Sequence, residues 1–322
     1  MEKRKVGVVG VGHLGQYHAE KYSKLPNVEL VGVVDINRER AFEIANRFGT
    51  RPFFDYLDLL GNVDAASIAV PTQSHYKIAR DFLKNGTDVL LEKPIATTVE
   101  EADTLIEIAE KKNLILQVGH IERYNPAIVA VEDILSNPLF VESHRLSFFT
   151  QRSTDVDVVL DLMIHDIDII LNLVNSEIER IDAVGIPVLS KNVDIANTRM
   201  TFANGCTANI TASRISEKNM RKIRIFQPDA YISIDFASKK VGIYNKVENS
   251  EKDKSIPEIV FRNVEINERD SLEEEVKSFI DCVITRKPPQ VSGNDGKRAL
   301  SVALKVVKQI TEIERDIRKN LF

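Results

Sequence analysis

The chain has 322 residues, of which 43% are hydrophobic and 28% are charged. This composition is typical of a globular protein and excludes a disordered, collagenous or coiled-coil chain. The net charge of −5 gives the molecule as a whole no attraction for nucleic acid or anionic lipid. Its two cysteines, Cys206 and Cys282, are too few for a disulfide framework or a four-cysteine zinc site. Because free thiols fit a reducing compartment and no apolar run reaches the roughly 18 residues of a membrane span, we expect a cytoplasmic protein without membrane or nucleic-acid partners.

Short apolar strands alternate with helices up to about residue 120. Apolar, β-branched runs predict strands at 6–9, 30–34, 65–70, 89–91 and 114–118. Start and stop signals predict helices at 14–25, 37–48, 74–85 and onward from a capping box of Thr98 and Glu101. This alternation indicates parallel β-α-β units, so we expect residues 1–122 to form a doubly wound sheet of an α/β protein.

The pattern changes after residue 120, where strands follow one another with few helices between them. Strands are predicted at 141–149, 178–186, 195–202, 206–213, 222–226, 231–236 and 241–244. Helices are predicted at 126–136, 157–174, 271–285 and 296–317, with a polar surface loop at 247–257. We therefore expect a second domain, residues 123–295, built on a mostly antiparallel sheet with helices on one face.

A glycine-rich turn follows the first strand and opens the first helix. Gly10 permits a tight turn, Gly12 lets the backbone approach a pyrophosphate, and Gly15 lets the helix pack closely on the strand. Asp35 ends the next strand, where a carboxylate can bind the hydroxyls of a ribose. Strand, helix and acid together predict a dinucleotide site at the helix N-terminus, and a purely structural glycine turn is the alternative.

Asp35 also favours one dinucleotide over the other. A carboxylate at this position repels a 2′-phosphate, so we expect NAD rather than NADP. Arg38 is close in sequence, and it either softens this preference or is a solvated side chain at a helix start. His13 and Leu14, between the last two glycines, complete the cofactor contacts expected of this turn.

Two short segments follow strands whose carboxyl ends share one edge of the parallel sheet, the edge where such sheets bind ligands. They contain Pro71, Thr72, His75, Glu92, Lys93 and Pro94, all of which we expect near the cofactor. Burial would lower the pKa of a lysine such as Lys93 and suit it to share a proton near neutral pH. The alternatives are a surface salt bridge for Lys93 and a partly buried helix residue for His75.

The predicted helix 157–174 is apolar almost all round and should be largely buried. Asp161 and His165 are four residues apart and share a face, with Asp168 further along the helix. Asp161 can hold one ring nitrogen of His165 and leave the other free as a general base. A satisfied structural pair is one alternative. A metal site is another, but no third and fourth ligand are evident nearby, so we predict no metal.

Three arginines are candidate contacts for substrate phosphates: Arg123, Arg152 and Arg214. Solvated arginines are the alternative at each position.

Together these segments resemble the Gfo/Idh/MocA family of oxidoreductases. The matching motifs are the 10–15 turn, Pro71-Thr72-x-x-His75, Glu92-Lys93-Pro94, Asp161-x-x-x-His165 and the tail segment 287–296. The resemblance implies a Rossmann domain and an α/β domain with an open, mostly antiparallel sheet, with the helix 296–317 packed back on the first domain. It also implies that Lys93 lies near nicotinamide and substrate, and that Asp161 and His165 supply acid–base chemistry. Where the family often has glycines before this aspartate, the chain has valine and leucine at 158–160.

Segments 119–127 and 161–168 resemble the members of the family that act on nucleotide sugars. This implies an NAD-dependent enzyme that transfers hydride from C3 of a UDP-N-acetyl-hexosamine to nicotinamide, with Arg123, Tyr124 and Asn125 at the substrate. The alternatives are a dehydrogenase of inositol, a free sugar or a dihydrodiol, and a non-catalytic NAD-binding sensor. Because the outer face of the second sheet needs cover, we expect a homodimer or homotetramer.

Overall fold

The computed structural model describes residues 3–150, 156–247, 258–266 and 269–321. Arg152 and nearly all of the predicted loop 247–257 lie outside these residues. The chain forms two compact units, Met1–Tyr124 with Arg269–Ser301, and Asn125–Glu268 with Val302–Phe322. Segment 269–295, which we expected in the second domain, therefore packs within the first unit. None of the described helices is long and apolar enough to cross a bilayer.

The regular elements follow the predicted order closely. The strands are β1 Arg4–Val9, β2 Val28–Val34, β3 Arg51–Phe53, β4 Ala65–Ile68, β5 Asp88–Glu92, β6 Leu116–Gly119, β7 Phe140–Leu146, β8 Ile178–Ile186, β9 Ile195–Phe202, β10 Thr207–Ser213, β11 Met220–Gln227, β12 Ala230–Asp235, β13 Lys240–Val247 and β14 Glu258–Val264. The helices are α1 Gly15–Lys24, α2 Arg38–Phe48, α3 His75–Lys84, α4 Val99–Lys111, α5 Pro126–Glu132, α6 Ile164–Val174, α7 Ser271–Thr285 and α8 Gly293–Leu321.

The first unit is built on a six-stranded parallel sheet in the order β3-β2-β1-β4-β5-β6. The chain runs outward from β1 in one direction and from β4 in the other. The carboxyl ends of these two strands therefore flank the point where ligands of doubly wound sheets bind. The predicted Rossmann sheet is confirmed. The short edge strand β3 was missed, because three residues that include Pro52 carry no apolar periodicity.

Helix α7 belongs to the core of this unit. Its buried residues Val276, Phe279 and Ile280 pack in one cluster with Val6 of β1 and Tyr22 of α1. The amphipathic spacing of these side chains gives α7 one apolar face, and burying that face against the sheet layer stabilises the unit.

The second unit contains an eight-stranded sheet in the order β14-β13-β12-β11-β7-β10-β9-β8. Among the described strands of this sheet, β7 and β10 are the only parallel pair, so the prediction of a mostly antiparallel sheet is confirmed. One face is buried and mostly apolar across its central strands, where Val141, Ile225, Ile232 and Ile243 are fully buried. The pleat turns the alternate residues to the other face. There the rings of five residues lie side by side and form the aromatic row: Phe140, Phe226, Tyr231, Tyr244 and Phe261.

Candidate active site

The glycine turn after β1 has the geometry that its sequence predicts. Gly10 has a φ of +82°, which favours glycine. A Cβ on Gly15 would lie 1.7 Å from the carbonyl oxygen of Gly10, so no side chain fits where α1 crosses the turn. A Cβ on Gly12 would meet nothing within 4 Å, which leaves space for a ligand to approach the backbone. His13 and Leu14 are exposed beside this space.

Asp35 and Arg40 both form hydrogen bonds to the backbone of the glycine turn. The carboxylate of Asp35 accepts hydrogen bonds from the backbone N–H of Val11 at 3.0 Å and of Asn37 at 2.9 Å. Arg40 donates from Nε to the carbonyl oxygen of Val11 at 2.9 Å. Sequence reasoning missed Arg40, because nothing distinguishes it from other helix arginines. Arg38 lies exposed with its guanidinium 4.4 Å from the centre of the Phe54 ring.

These residues fit a dinucleotide. Open backbone at Gly12 and the N-terminus of α1 provide N–H groups for a pyrophosphate. Each carboxylate oxygen of Asp35 accepts one backbone hydrogen bond and retains a second lone pair for a ribose hydroxyl.

His75, expected near the cofactor, is buried, as in the alternative interpretation of a helix residue. Its ring nitrogens are each 2.8 Å from a carbonyl oxygen, Nδ1 from Pro94 and Nε2 from Val70. Burial lowers the pKa of His75, so the neutral ring donates to one of these oxygens. The contacts of His75 thus connect the segment after β4 with the Glu92-Lys93-Pro94 turn. Of its neighbours, Pro71 is exposed and Thr72 is half-buried.

The carboxylate of Glu92 also points inward, where we expected a cofactor contact. It accepts a hydrogen bond from His18 Nε2 at 3.0 Å and a longer one from the backbone N–H of Lys93 at 3.3 Å. Burial raises the pKa of Glu92, but the hydrogen bond from His18 and the nearby charge of Lys93 outweigh burial and hold that pKa below its ordinary value. Sequence reasoning missed His18; its one signal is that it shares the buried face of α1 with Gly15 and Tyr22. Lys93 itself is half-buried.

In the second unit, Asp161 and His165 lie at a change of helix type. The predicted helix 157–174 is divided into a π-turn, Val159–Met163, and α6. Asp161 lies within the π-turn and His165 in the first turn of α6, and both are half-buried. A single π-turn inside a helix widens the spacing of its side chains and is frequent at functional sites.

The helix also carries a charge that the sequence analysis did not use. Asp166 is 1% exposed and pairs with Arg145 of β7, with 2.6 Å between the carboxylate and Nε. The hydroxyl of Ser143 donates to the same carboxylate at 2.9 Å. This pair fixes α6 to the sheet and so fixes the helix that presents His165. Asp168 is buried on the same helix.

Arg214 does not face solvent, as a diphosphate contact would need. Its Nε pairs with Asp194 at 3.0 Å, and one terminal nitrogen donates to the carbonyl oxygens of Val156 and Val193. Burial raises the pKa of Asp194, but hydrogen bonds from Ser190 and the backbone outweigh it and hold that pKa well below its ordinary value. The structure gives Arg214 an internal ion pair instead of a substrate contact.

The segment expected at the substrate is also largely buried. Arg123 is 6% exposed and donates to the carbonyl oxygen of Gln290, and the hydroxyl of Tyr124 lies 3.5 Å from that of Ser278. Asn125 caps α5 by accepting a hydrogen bond from the N–H of residue 127 at 3.0 Å. Arg123 and Tyr124 therefore pack in the first unit, where the expected boundary at 122 placed them in the second domain.

Comparison with known proteins decides the family. Residues 4–120 match a model described as an oxidoreductase family with an NAD-binding Rossmann fold, and residues 128–233 match the GFO/IDH/MocA C-terminal domain. The chain belongs to the Gfo/Idh/MocA family of oxidoreductases. The family resemblance, the NAD-binding fold and the dehydrogenase class predicted from sequence are confirmed.

Several members of the Gfo/Idh/MocA family are similar over most of the chain. The UDP-N-acetylglucosamine 3-dehydrogenase of Acidithiobacillus ferrooxidans is 39% identical over 94% of this chain and 96% of its own. A solved structure of that enzyme has a TM-score of 0.89 and 37% identity, and it covers 96% of this chain and 98% of its own. An inositol 2-dehydrogenase of Rubrobacter xylanophilus is 34% identical over 67% of this chain and 66% of its own.

Proposed function

We propose that this enzyme oxidises the C3 hydroxyl of UDP-N-acetylglucosamine with NAD. The observation that carries the proposal is the 39% identity to a UDP-N-acetylglucosamine 3-dehydrogenase over 94% of the chain. It is supported by segments 119–127 and 161–168, whose sequences resemble the family members that act on nucleotide sugars.

The cofactor site is the turn after β1. Gly10, Gly12 and Gly15 with the N-terminus of α1 would hold the pyrophosphate, and Asp35 the adenosine ribose. Bound NAD would supply the hydride acceptor. We expect Lys93, which follows β5, to face the nicotinamide and substrate.

Three side chains take part in removing the proton of the substrate hydroxyl. His165 takes the proton of the substrate hydroxyl as general base, and Asp161 orients its ring. Lys93 donates a hydrogen bond to the hydroxyl oxygen and stabilises the alkoxide character that develops as hydride leaves.

The substrate is tested by an activity screen that separates a nucleotide sugar from a free sugar. We expect activity with UDP-N-acetylglucosamine and none with free N-acetylglucosamine at the same concentration, because the diphosphate supplies binding energy that orients the sugar. Oxidation of a secondary alcohol by NAD is uphill near neutral pH, so the assay includes an aminotransferase trap or follows reduction of the keto sugar.

A second arm of the same screen varies the cofactor. NAD should support turnover much better than NADP, and Asp35→Ala should weaken NAD binding while easing entry of the 2′-phosphate. Equal affinity of the wild-type protein for both cofactors, measured by titration, contradicts the assignment of Asp35.

A second candidate is inositol oxidation, which the 34% identity to an inositol 2-dehydrogenase favours. Activity with inositol or free hexoses and none with any UDP-sugar would select it and leave the dehydrogenase class unchanged. Bound NAD without turnover of any sugar would instead indicate a sensor.

We also propose that the enzyme is a homodimer or homotetramer, in the cytoplasm, that associates through the aromatic row of its second sheet. The rings of Phe140, Phe226, Tyr231, Tyr244 and Phe261 follow one another across five strands, with centroids 5.7, 4.8, 5.1 and 4.6 Å apart. Phe261 is 49% exposed, and a continuous apolar strip of this kind is rare on a monomer surface.

A single charge introduced into the aromatic row should dissociate the oligomer. Sedimentation velocity should show a dimer or tetramer for the wild-type protein and a smaller species for Phe261→Lys, because a charge buried in an apolar interface is not compensated. As a control, Phe261→Tyr should sediment like the wild-type protein. A wild-type monomer at micromolar concentration contradicts the proposal.

A further inference from the structure

A buried carboxyl group lies beside Glu92 in the first unit, and the proposed function does not use it. Glu275 of α7 is fully buried, and neither of its carboxyl oxygens has a hydrogen-bond partner among the described residues. A carboxyl oxygen of Glu275, one of Glu92 and a ring nitrogen of His18 all lie within 4.8 Å of one another. Two carboxylates this close in a core cannot both be ionised, because each charge opposes the other and neither is solvated.

The hydrogen bonds around His18 favour Glu92 as the charged carboxyl. Tyr22 and Ser67 hydroxyls are 3.0 Å apart, and Ser67 Oγ is 3.1 Å from His18 Nδ1. We place the hydrogens so that Tyr22 donates to Ser67, Ser67 to Nδ1, and Nε2–H to Glu92, which satisfies every group in this chain. The backbone N–H of Lys93 donates to the other oxygen of Glu92. Glu92 accepts on both oxygens and is therefore the ionised partner.

Glu275 is then the neutral partner. Burial raises the pKa of Glu275 well above its ordinary value, and the negative charge of Glu92 raises that pKa further. The titratable groups that face Glu275 are His18 and Tyr22 from α1, Glu92 from β5 and Tyr124 from the turn after β6. None of these is a lysine or arginine that would neutralise a second carboxylate.

The same three side chains could instead surround a metal ion, but the hydrogen bond between His18 and Glu92 argues against one. The Nε2–H of His18 points at Glu92 at 3.0 Å, whereas a metal-bound imidazole directs the lone pair of the ligating nitrogen at the ion. With a proton on Glu275, the cluster carries only the charge of Glu92, which hydrogen bonds from His18 and the Lys93 N–H stabilise.

We propose that Glu275 carries a proton while Glu92 is ionised, and that Glu275 is a positioning residue that acts through Glu92 on the backbone of Lys93. The part that concerns turnover rests on the proposed function. When Glu275 ionises, its charge repels Glu92, and the hydrogen bond that Glu92 accepts from the Lys93 N–H is disturbed.

The proposal predicts how stability changes with pH. Because the pKa of Glu275 is higher in the folded protein than in the unfolded chain, the folded protein binds more protons above the ordinary value of 4.5. The free energy of unfolding therefore falls as pH rises from 4.5 through the raised pKa. The same ionisation should lower turnover on the alkaline side of the pH profile.

The test compares Glu275→Gln with Asp281→Asn, which removes the same charge from an exposed position on α7. At neutral pH the infrared spectrum of the full-length protein should show a carboxylic-acid carbonyl band that Glu275→Gln removes and Asp281→Asn keeps. Glu275→Gln should also weaken the fall of unfolding free energy with pH and extend turnover to higher pH. Glu275→Ala, which leaves a cavity, should lower turnover several-fold at all pH values, and Gln should rescue that loss.

Two results would overturn the protonated state of Glu275: no such band in the wild-type protein at neutral pH, or one equivalent of bound metal that Glu275→Gln abolishes. An unchanged pH profile of turnover in Glu275→Gln would overturn the positioning role. If no variant or wild-type protein turns over a UDP-sugar, the proposed substrate fails, while the band and the unfolding curves still decide the state of Glu275.

Discussion

Lys93→Ala and His165→Ala are each expected to lower turnover of the UDP-sugar by ~10²-fold or more, the usual range for acid–base groups. The two losses have different physical causes. Without Lys93 the developing alkoxide loses its hydrogen-bond donor, and without His165 the hydroxyl proton has no acceptor. Steady-state kinetics with saturating NAD measures both.

NAD affinity separates the two variants. It should stay within a small factor of the wild-type value for His165→Ala, because His165 belongs to the second unit and the glycine turn to the first. Lys111→Ala is the matched control for the lysine, since Lys111 lies exposed on α4 in an ion pair with Glu107. Near-normal turnover in both site variants would show that the proposed roles are wrong.

Asp166→Ala is expected to lower the free energy of unfolding by about 3–5 kcal/mol, because it leaves the buried guanidinium of Arg145 without its carboxylate. Both partners are almost fully buried, so water does not replace the lost interaction. Urea unfolding followed by circular dichroism gives the change, with the loss seen as a lower midpoint at similar slope.

The control for this variant is an exposed ion pair in the same unit. Arg180 and Asp182 lie 2.8 Å apart with side chains 72% and 46% exposed, so Asp182→Ala should change the free energy of unfolding by less than about 1 kcal/mol. The double variant Arg145→Met/Asp166→Leu should recover much of the stability that Asp166→Ala loses, because it leaves no unpaired charge. Equal effects of Asp166→Ala and Asp182→Ala would contradict the structural role of the buried pair.

Sequence reasoning succeeded where one local pattern determines the structure. The bounds of β9 and α7 agree with the predicted 195–202 and 271–285, because alternation or helical spacing is uninterrupted there. The bounds of β8 also agree with the predicted 178–186, although a bulge interrupts its alternation. The capping box at Thr98 formed only in part. The Thr98 hydroxyl accepts from the N–H of Glu101, but the Glu101 side chain bonds Thr97.

Other features depend on contacts that no local pattern encodes. The buried partner of Arg214, Asp194, is twenty residues away, and that of Arg145 is twenty-one, so both arginines look like surface residues in sequence. Glu275 and His18 are further apart still, and their proximity depends on α7 returning to the first unit. The π-turn at Asp161 was also not predicted, because an apolar run carries no signal for one extra residue in a turn.

The place of β7 in the second sheet has a consequence for folding. Strands β8 to β10 and strands β11 to β14 are two antiparallel meanders, each of which pairs neighbours in sequence. Strand β7 precedes both in the chain, yet it lies between them, parallel to β10 and antiparallel to β11. Local pairing forms fast and distant pairing slowly, so the meanders can assemble before the strand that joins them. Until β7 is inserted, each meander has an open edge at β10 or β11, which makes this step the point at which the chain is most prone to pair with another copy.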